Sequence, residues 1–241
     1  MPNIIRRSHG LQLDHIGLGV GDTREGVKWV EEHTGATVEL HDPEPDQWYW
    51  SGSLSIGEVS YLEIIGPNPE WTKFQPFNAL LKSLKEPQLL FWFIAVMDFK
   101  KFQATARENK VKLQQIEAIN IDARDDKNAS YWRGVIGPGF MTERPNVIEW
   151  VRRPQRETNT PAQCRLKGFR LANPDADQIN SVFQSLGIEL SAANGPSKIG
   201  ITLETPRGDW VIENAGLKWT MPGMLLELAS LWWKTRNFPT V

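Results

Sequence analysis

Hydrophobic and polar positions alternate from Leu11 to Val20. Leu11, Leu13, His15, Gly17 and Gly19 fall on one face of an extended segment, and Ile16, Leu18 and Val20 on the other. Asp22 and Thr23 then offer an N-cap, Val27, Trp29 and Val30 mark a short amphipathic helix, and Gly35 closes it. Thr37 to Leu40, Ser51 to Ile56 and Ser60 to Ile65 read as three further strands, ended by the turn-forming Gly66-Pro67-Asn68-Pro69.

The same order then recurs. Leu89 to Val96 is an apolar strand, and Asp98 caps a helix reaching about Asn109. Val111 to Ile116, Ser130 to Ile136 and Asn146 to Arg152 follow as strands, with a charged loop over Asp122 to Asn128. A third pass runs from the strand Arg165 to Leu171, through a helix capped by Asn173 and Asp175 and closed at Gly187. Its remaining strands are Ile188 to Leu190, Lys198 to Glu204 and Asp209 to Glu213. An internal repeat of this kind predicts an α+β fold of repeated βαβββ modules. Two of them, 11–69 and 88–153, pair within 11–155 as a cup-shaped, partly open mixed β-sheet barrel with flanking helices around a pocket. Residues 163–214 make a third, related module. The tail 217–241 differs: Leu225, Leu226, Leu228, Leu231, Trp232 and Trp233 give a helix with a broad apolar face. It packs on its own domain or, since Trp is enriched at interfaces, serves a homodimer contact or a lid.

Composition narrows the function classes. With 27 basic and 29 acidic side chains the formal net charge is -2, so no basic face for nucleic acid is expected. The apolar runs 89–97 and 224–233 fall far short of the ~20 residues of a spanning helix, so no membrane partner is expected. One cysteine, Cys164, offers neither an internal disulfide nor a thiolate cluster. With no apolar run after Arg6 and Arg7 to make a secretion signal, the expected location is cytoplasmic.

Carboxylates interrupt two otherwise apolar strands: Glu63 in Tyr61-Leu-Glu-Ile-Ile65 and Glu149 in Val147-Ile-Glu-Trp-Val151. A carboxylate flanked by apolar neighbours is costly unless it is paired or binds a metal. If the modules line one cup, His15, Glu63 and Glu149 converge as a nitrogen-plus-carboxylate site suited to iron, manganese, nickel or zinc. Trp48, Tyr49, Trp50, Trp92, Tyr131 and Trp132 are aromatic candidates for stacking on a flat ligand. Gly17-x-Gly19-x-Gly21 spaces its third glycine one residue short of a dinucleotide-binding fingerprint, and repeated βαβ crossovers are lacking, so that reading is rejected.

Leu13-Asp-His-Ile16 followed by Asp22, and Tyr61-Leu-Glu-Ile-Ile-Gly-Pro-Asn-Pro69, resemble the opening module of glyoxalase-like proteins of the vicinal oxygen chelate superfamily. Tyr131-Trp-Arg-Gly134 resembles a motif of module two in one branch. Cys164-Arg-Leu through Asn173-Pro-Asp, and Leu203-Glu-Thr-Pro-Arg-Gly208, are similar to its third pass. The resemblance implies a metal held by a first-strand His and a last-strand Glu of paired modules, and matches His15, Glu63 and Glu149. It departs at Phe91, seven residues before Asp98 as His15 is seven before Asp22, where an apolar ring replaces a ligand. It departs again after the first helix, where only His41 fits, with Trp48-Tyr49 in place of Gly-Thr.

The function so implied is a divalent-metal-dependent lyase, isomerase or dioxygenase acting on a small oxygenated molecule. Its expected site is a metal on His15, Glu63 and Glu149, Glu149 alternatively the general base, and substrate against His41, Trp50, Trp92 and Trp132. The rival expectation is a metal-free protein of the same fold that binds or sequesters a flat compound.

Overall fold

The computed structural model describes residues 11–41, 43, 47–73, 75–119, 131–137, 143–151 and 163–214. The first run of the pattern folds as β1 (Gln12–Gly19), α1 (Thr23–Thr34), β2 (Glu39–His41), β3 (Tyr49–Ser55) and β4 (Tyr61–Pro67). Asp22 accepts a hydrogen bond from the Glu25 amide at 3.0 Å, and Gly35, at φ 70°, ends α1 in the left-handed conformation that glycine adopts without strain. A helix that the pattern did not predict, α2 (Pro76–Ser83), precedes the second run. That run consists of β5 (Gln88–Ala95), α3 (Phe99–Glu108), β6 (Leu113–Ile119), β7 (Tyr131–Ile136) and β8 (Asn146–Trp150). Asp98 caps α3 as Asp22 caps α1, accepting from the Lys101 amide at 2.8 Å.

These eight strands form one open mixed sheet in the order β2-β3-β4-β1-β5-β8-β7-β6. Each module has the same pairing: its first strand lies parallel to its last, and the two first strands meet antiparallel at the centre. The caps Asp22 and Asp98 are 76 positions apart, and so are Ile16 and Trp92, which face each other across β1 and β5. Ile16 and Trp92 therefore sit on the approximate two-fold axis, and each β1 residue has its counterpart 76 positions later. The local irregularities obey this rule. The register skips Asp14 on β1 and Leu90 on β5, so a β-bulge precedes His15 and an equivalent one precedes Phe91.

The third run folds as β9 (Arg165–Asn173), α4 (Ala176–Leu186), β10 (Ala192–Asn194), β11 (Lys198–Thr205) and β12 (Gly208–Glu213). Its element order repeats the module, but its pairing does not. In the sheet β10-β9-β11-β12, the first strand is parallel to the second and antiparallel to the third. The short second strand forms at Ala192–Asn194 rather than at 188–190, because Ile188 and Leu190 are buried in the core instead.

One face of the large sheet supplies Ile16, Leu18, Leu62, Ile64, Trp92, Ile94 and Val147 to a core shared with α1, α3 and the third unit. Trp92 packs edge-on against Phe169 at 4.9 Å and lies near Phe183. Cys164 is buried in the same core, where desolvation pushes its thiol up to about 11. The opposite, concave face is lined by Ile65, Phe91, Phe93, Ala95, Ile148 and Trp150, and α2 closes part of it with Phe77, Leu80, Leu81 and Leu84. The apolar tail from 217 lies outside the described residues, as does the charged loop 122–128.

Candidate active site

Strand alternation alone would send Asp14 to the face of Ile16 and Leu18, away from His15. The bulge at Asp14 removes that alternation and lets two successive polar side chains act together. Asp14, fully buried, holds His15 Nδ1 at 2.8 Å with one carboxylate oxygen and accepts the Trp150 indole N–H at 2.9 Å with the other. The imidazole lies between two rings, Tyr61 at 4.9 Å and Phe93 at 4.3 Å, both nearly parallel to it. A buried carboxylate with charge-assisted partners and an imidazole clamped on both faces make a rigid, oriented group.

The Nε2 atom of that ring faces Glu63, with 3.8 Å to Oε2. Glu63 stands on β4 beside Gly17, between Tyr61 and Ile65, and about a fifth of its side chain is exposed. Burial raises the pKa of its carboxyl above the ordinary 4.5. Asp14 raises it further, and His15 opposes both. Across β3, Ser53 pairs with Glu63, and His41 on the edge strand contacts the Ser53 hydroxyl at 2.9 Å. His41 therefore lies on the concave side, two strands from Glu63. Tyr49, on the same face of β3, has its hydroxyl pushed up by desolvation, then by Glu63 and Tyr131, against the lowering influence of a hydrogen bond with Gln47 and of Arg133.

The two-fold relation shows what became of the other half of the donor set. The counterpart of the Asp14–His15 pair is Leu90–Phe91, and Phe91 lies over Gly17, where a Cβ would stand 2.2 Å from the ring. Gly17 neighbours Glu63 across the parallel pair. Its counterpart, Phe93, neighbours Asn146. Asn146, not Glu149, thus occupies the position equivalent to Glu63. It is buried and donates to the Trp92 carbonyl at 3.2 Å.

Glu149 turns to the other face of β8, where it accepts the backbone N–H of Phe99 at 2.8 Å, at the start of α3. That is a helix-terminus role, suited to an anion by the exposed amides and the helix dipole. The structure does not bring it to His15 and Glu63.

The Trp residues expected against substrate also face away. Trp92 is in the core, with its indole on the Glu143 carbonyl. Trp50 is on the α1 side under the Arg24 guanidinium, and Trp132 lies on the face of Glu149. In each case an immediate neighbour occupies the concave face instead: Tyr49, Phe91 and Phe93, Tyr131. A register shift of one residue exchanges the faces of a strand, and it separates those two sets.

Among the described residues, no group of three or more His, Cys, Asp or Glu is arranged to hold a metal. His15 and Glu63 are two donors, and Phe91 and Asn146 stand where two more would be. The described residues therefore do not supply the three or four side-chain donors that a resident divalent ion ordinarily takes. The pair does fit acid–base chemistry: a carboxyl whose pKa burial raises stands beside an oriented imidazole among aromatic rings.

A family model described as a glyoxalase-like domain matches residues 13–187. No curated protein sequence matches. The crystal structure of a hypothetical protein from Staphylococcus aureus aligns with 84% of this chain and 85% of its own, at TM-score 0.55 and 13% identity, which shows a shared fold. Two methylmalonyl-CoA epimerases align less closely. That of Streptomyces coelicolor, in complex with 2-nitronate-propionyl-CoA, covers 58% of this chain and 96% of its own at TM-score 0.42 and 15% identity. That of Mycobacterium tuberculosis covers 60% and 89% at TM-score 0.40 and 18% identity. The chain belongs to the glyoxalase-like domain family.

Proposed function

We propose that the chain is an enzyme that moves a proton at the carbon beside a carbonyl of a small bound molecule, with His15 and Glu63 as its acid–base pair and no ion held by the chain alone. The observation that carries this reading is the Asp14–His15–Glu63 line at the base of the concave face. Glu63 takes the proton from carbon and returns it, a role that favours a carboxyl raised toward working pH. Asp14 fixes the ring so that Nε2 faces the oxygen on which charge develops, donating to it when the ring carries both protons.

The test is proton exchange. Carbonyl compounds incubated with the protein in deuterium oxide are followed by NMR at the carbon next to the carbonyl. Exchange that survives chelator and is lost in both His15→Ala and Glu63→Gln is expected. One iron, manganese, nickel or zinc ion per chain, retained through dialysis and lost with His15→Ala, would overturn the metal-independent mechanism in favour of the divalent-metal enzyme. A second reading, a binding protein without turnover, is favoured by the rings of Phe91, Phe93 and Trp150 around the pair. Ligand binding with no exchange in any compound would select it.

A further inference from the structure

Trp150 ends β8, yet its indole reaches a side chain of β1, with β5 lying between the two strands. Neighbouring strands lie about 4.8 Å apart, so the span is about 10 Å and takes two side chains to cross. Asp14 supplies one of them, because the bulge at its position turns it to the concave side. The indole N–H meets Asp14 Oδ1 at 2.9 Å, and Oδ2 of the same carboxyl group stands 2.8 Å from His15 Nδ1.

The bond has no mate at the matching places of the other half. Glu63 corresponds to Asn146, so Trp150, four residues on, corresponds to Pro67, and Asp14 corresponds to Leu90. Proline and leucine side chains make no hydrogen bond. Burying a carboxylate is costly, and apolar residues serve the equivalent places, so the polar pair stands only in the half that carries His15 and Glu63. The rings of Tyr61 and Phe93 fix the plane of the imidazole, but stacking leaves rotation within that plane open. The Asp14 contact fixes that rotation. An indole N–H can only donate, so it favours the form of Asp14 in which both oxygens accept, and the proton between Asp14 and His15 then sits on Nδ1.

We propose that Trp150 is a positioning residue contributed by module two: its indole N–H orients the Asp14 carboxylate, which in turn keeps the His15 proton on Nδ1 and the Nε2 atom toward Glu63. The inference rests on the acid–base reading above and adds the residue that couples the second module to the pair.

Nitrogen-15 NMR of His15 in the full chain, with no ligand added, tests it. Two changed chains are compared with the wild type: Trp150→Phe, and a chain with 3-benzothienylalanine at position 150, which keeps the shape of the indole and puts sulfur in place of N–H. The neutral ring of the wild type is expected to carry its proton on Nδ1. In both changed chains the ratio of the Nδ1–H to the Nε2–H form should fall at least about tenfold, the scale of one hydrogen bond to a charged group. The deuterium-exchange rate should fall with it at unchanged KM, because Trp150 acts through Asp14. An unchanged ratio in the benzothienyl chain overturns the assignment, whatever Trp150→Phe does to folding, and so does a wild-type ring protonated on Nε2. If no carbonyl compound exchanges in the wild type, the acid–base reading falls, while the tautomer ratio still decides whether Trp150 orients the ring.

Discussion

Glu63 carries the strongest residue-level consequence, because its folded state favours the protonated carboxyl. Where the folded protein binds more protons than the unfolded chain, stability falls as pH rises. The contribution is fully present below the ordinary value of 4.5 and is lost as pH climbs through the raised one. Thermal unfolding followed from acid to neutral pH should show this decline in the wild type, and Glu63→Gln should remove it and unfold at higher temperature near neutrality. His15, Asp14 and Tyr49 stay in place in that variant, so the difference between the two curves reports Glu63 together with its coupling to them. A pH dependence identical in both proteins would sink the idea. Asp14 is the other such residue: fully buried and bonded to His15 and Trp150, it should cost about 3 kcal/mol when changed to Ala, measured by denaturant unfolding.

At the scale of elements, the paired bulges decide which side chains meet. Phe91 covers Gly17 with three ring carbons between 2.2 and 2.6 Å of where a Cβ would be. Gly17→Ala should therefore destabilise by about 1–3 kcal/mol, and the penalty should shrink in a Phe91→Leu background, a coupling that a double-mutant cycle measures. Equal penalties in both backgrounds would mean that the ring is not the obstacle.

The bulges also explain what was legible beforehand. Strand positions, both Asp caps, His15 and Glu63 follow from local pattern, because side-chain period and capping chemistry act over a few residues. Asp14 was hidden, since an alternating strand sends it to the far face and only the skipped register returns it. Glu149 looked equivalent to Glu63 because both interrupt apolar strands, whereas pairing across β5 and β8 assigns that place to Asn146. The Trp residues differ from expectation for a related reason: on each strand the neighbour one step away holds the concave position. The third run repeats the order of elements but not their pairing, a distinction that resides in long-range contacts.

The whole molecule separates structure from chemistry by the two faces of one sheet. Trp92, on the axis between the modules, belongs to the buried side, so Trp92→Ala should cost about 3–5 kcal/mol in denaturant unfolding while leaving ligand affinity of the folded protein unchanged. Conversely, Phe91→His with Asn146→Glu replaces the two missing donors on the concave side. The doubly changed chain should bind zinc at least about tenfold more tightly than the wild type in competition with a chromophoric chelator. No gain would mean that the two-fold correspondence does not extend to side-chain geometry.

Loss of that correspondence at Leu90, Phe91 and Asn146 has a consequence for how a molecule enters. A cup with matched halves is indifferent to which end of a guest arrives first, and presents the same chemistry to both. Here one half carries His15 and Glu63 while the other has Phe91 and Asn146 at the matching places, so the two ends of a guest would meet different chemistry. On the acid–base reading proposed above, a prochiral guest held this way would offer one side of its reacting carbon to Glu63, and the product would carry a single handedness.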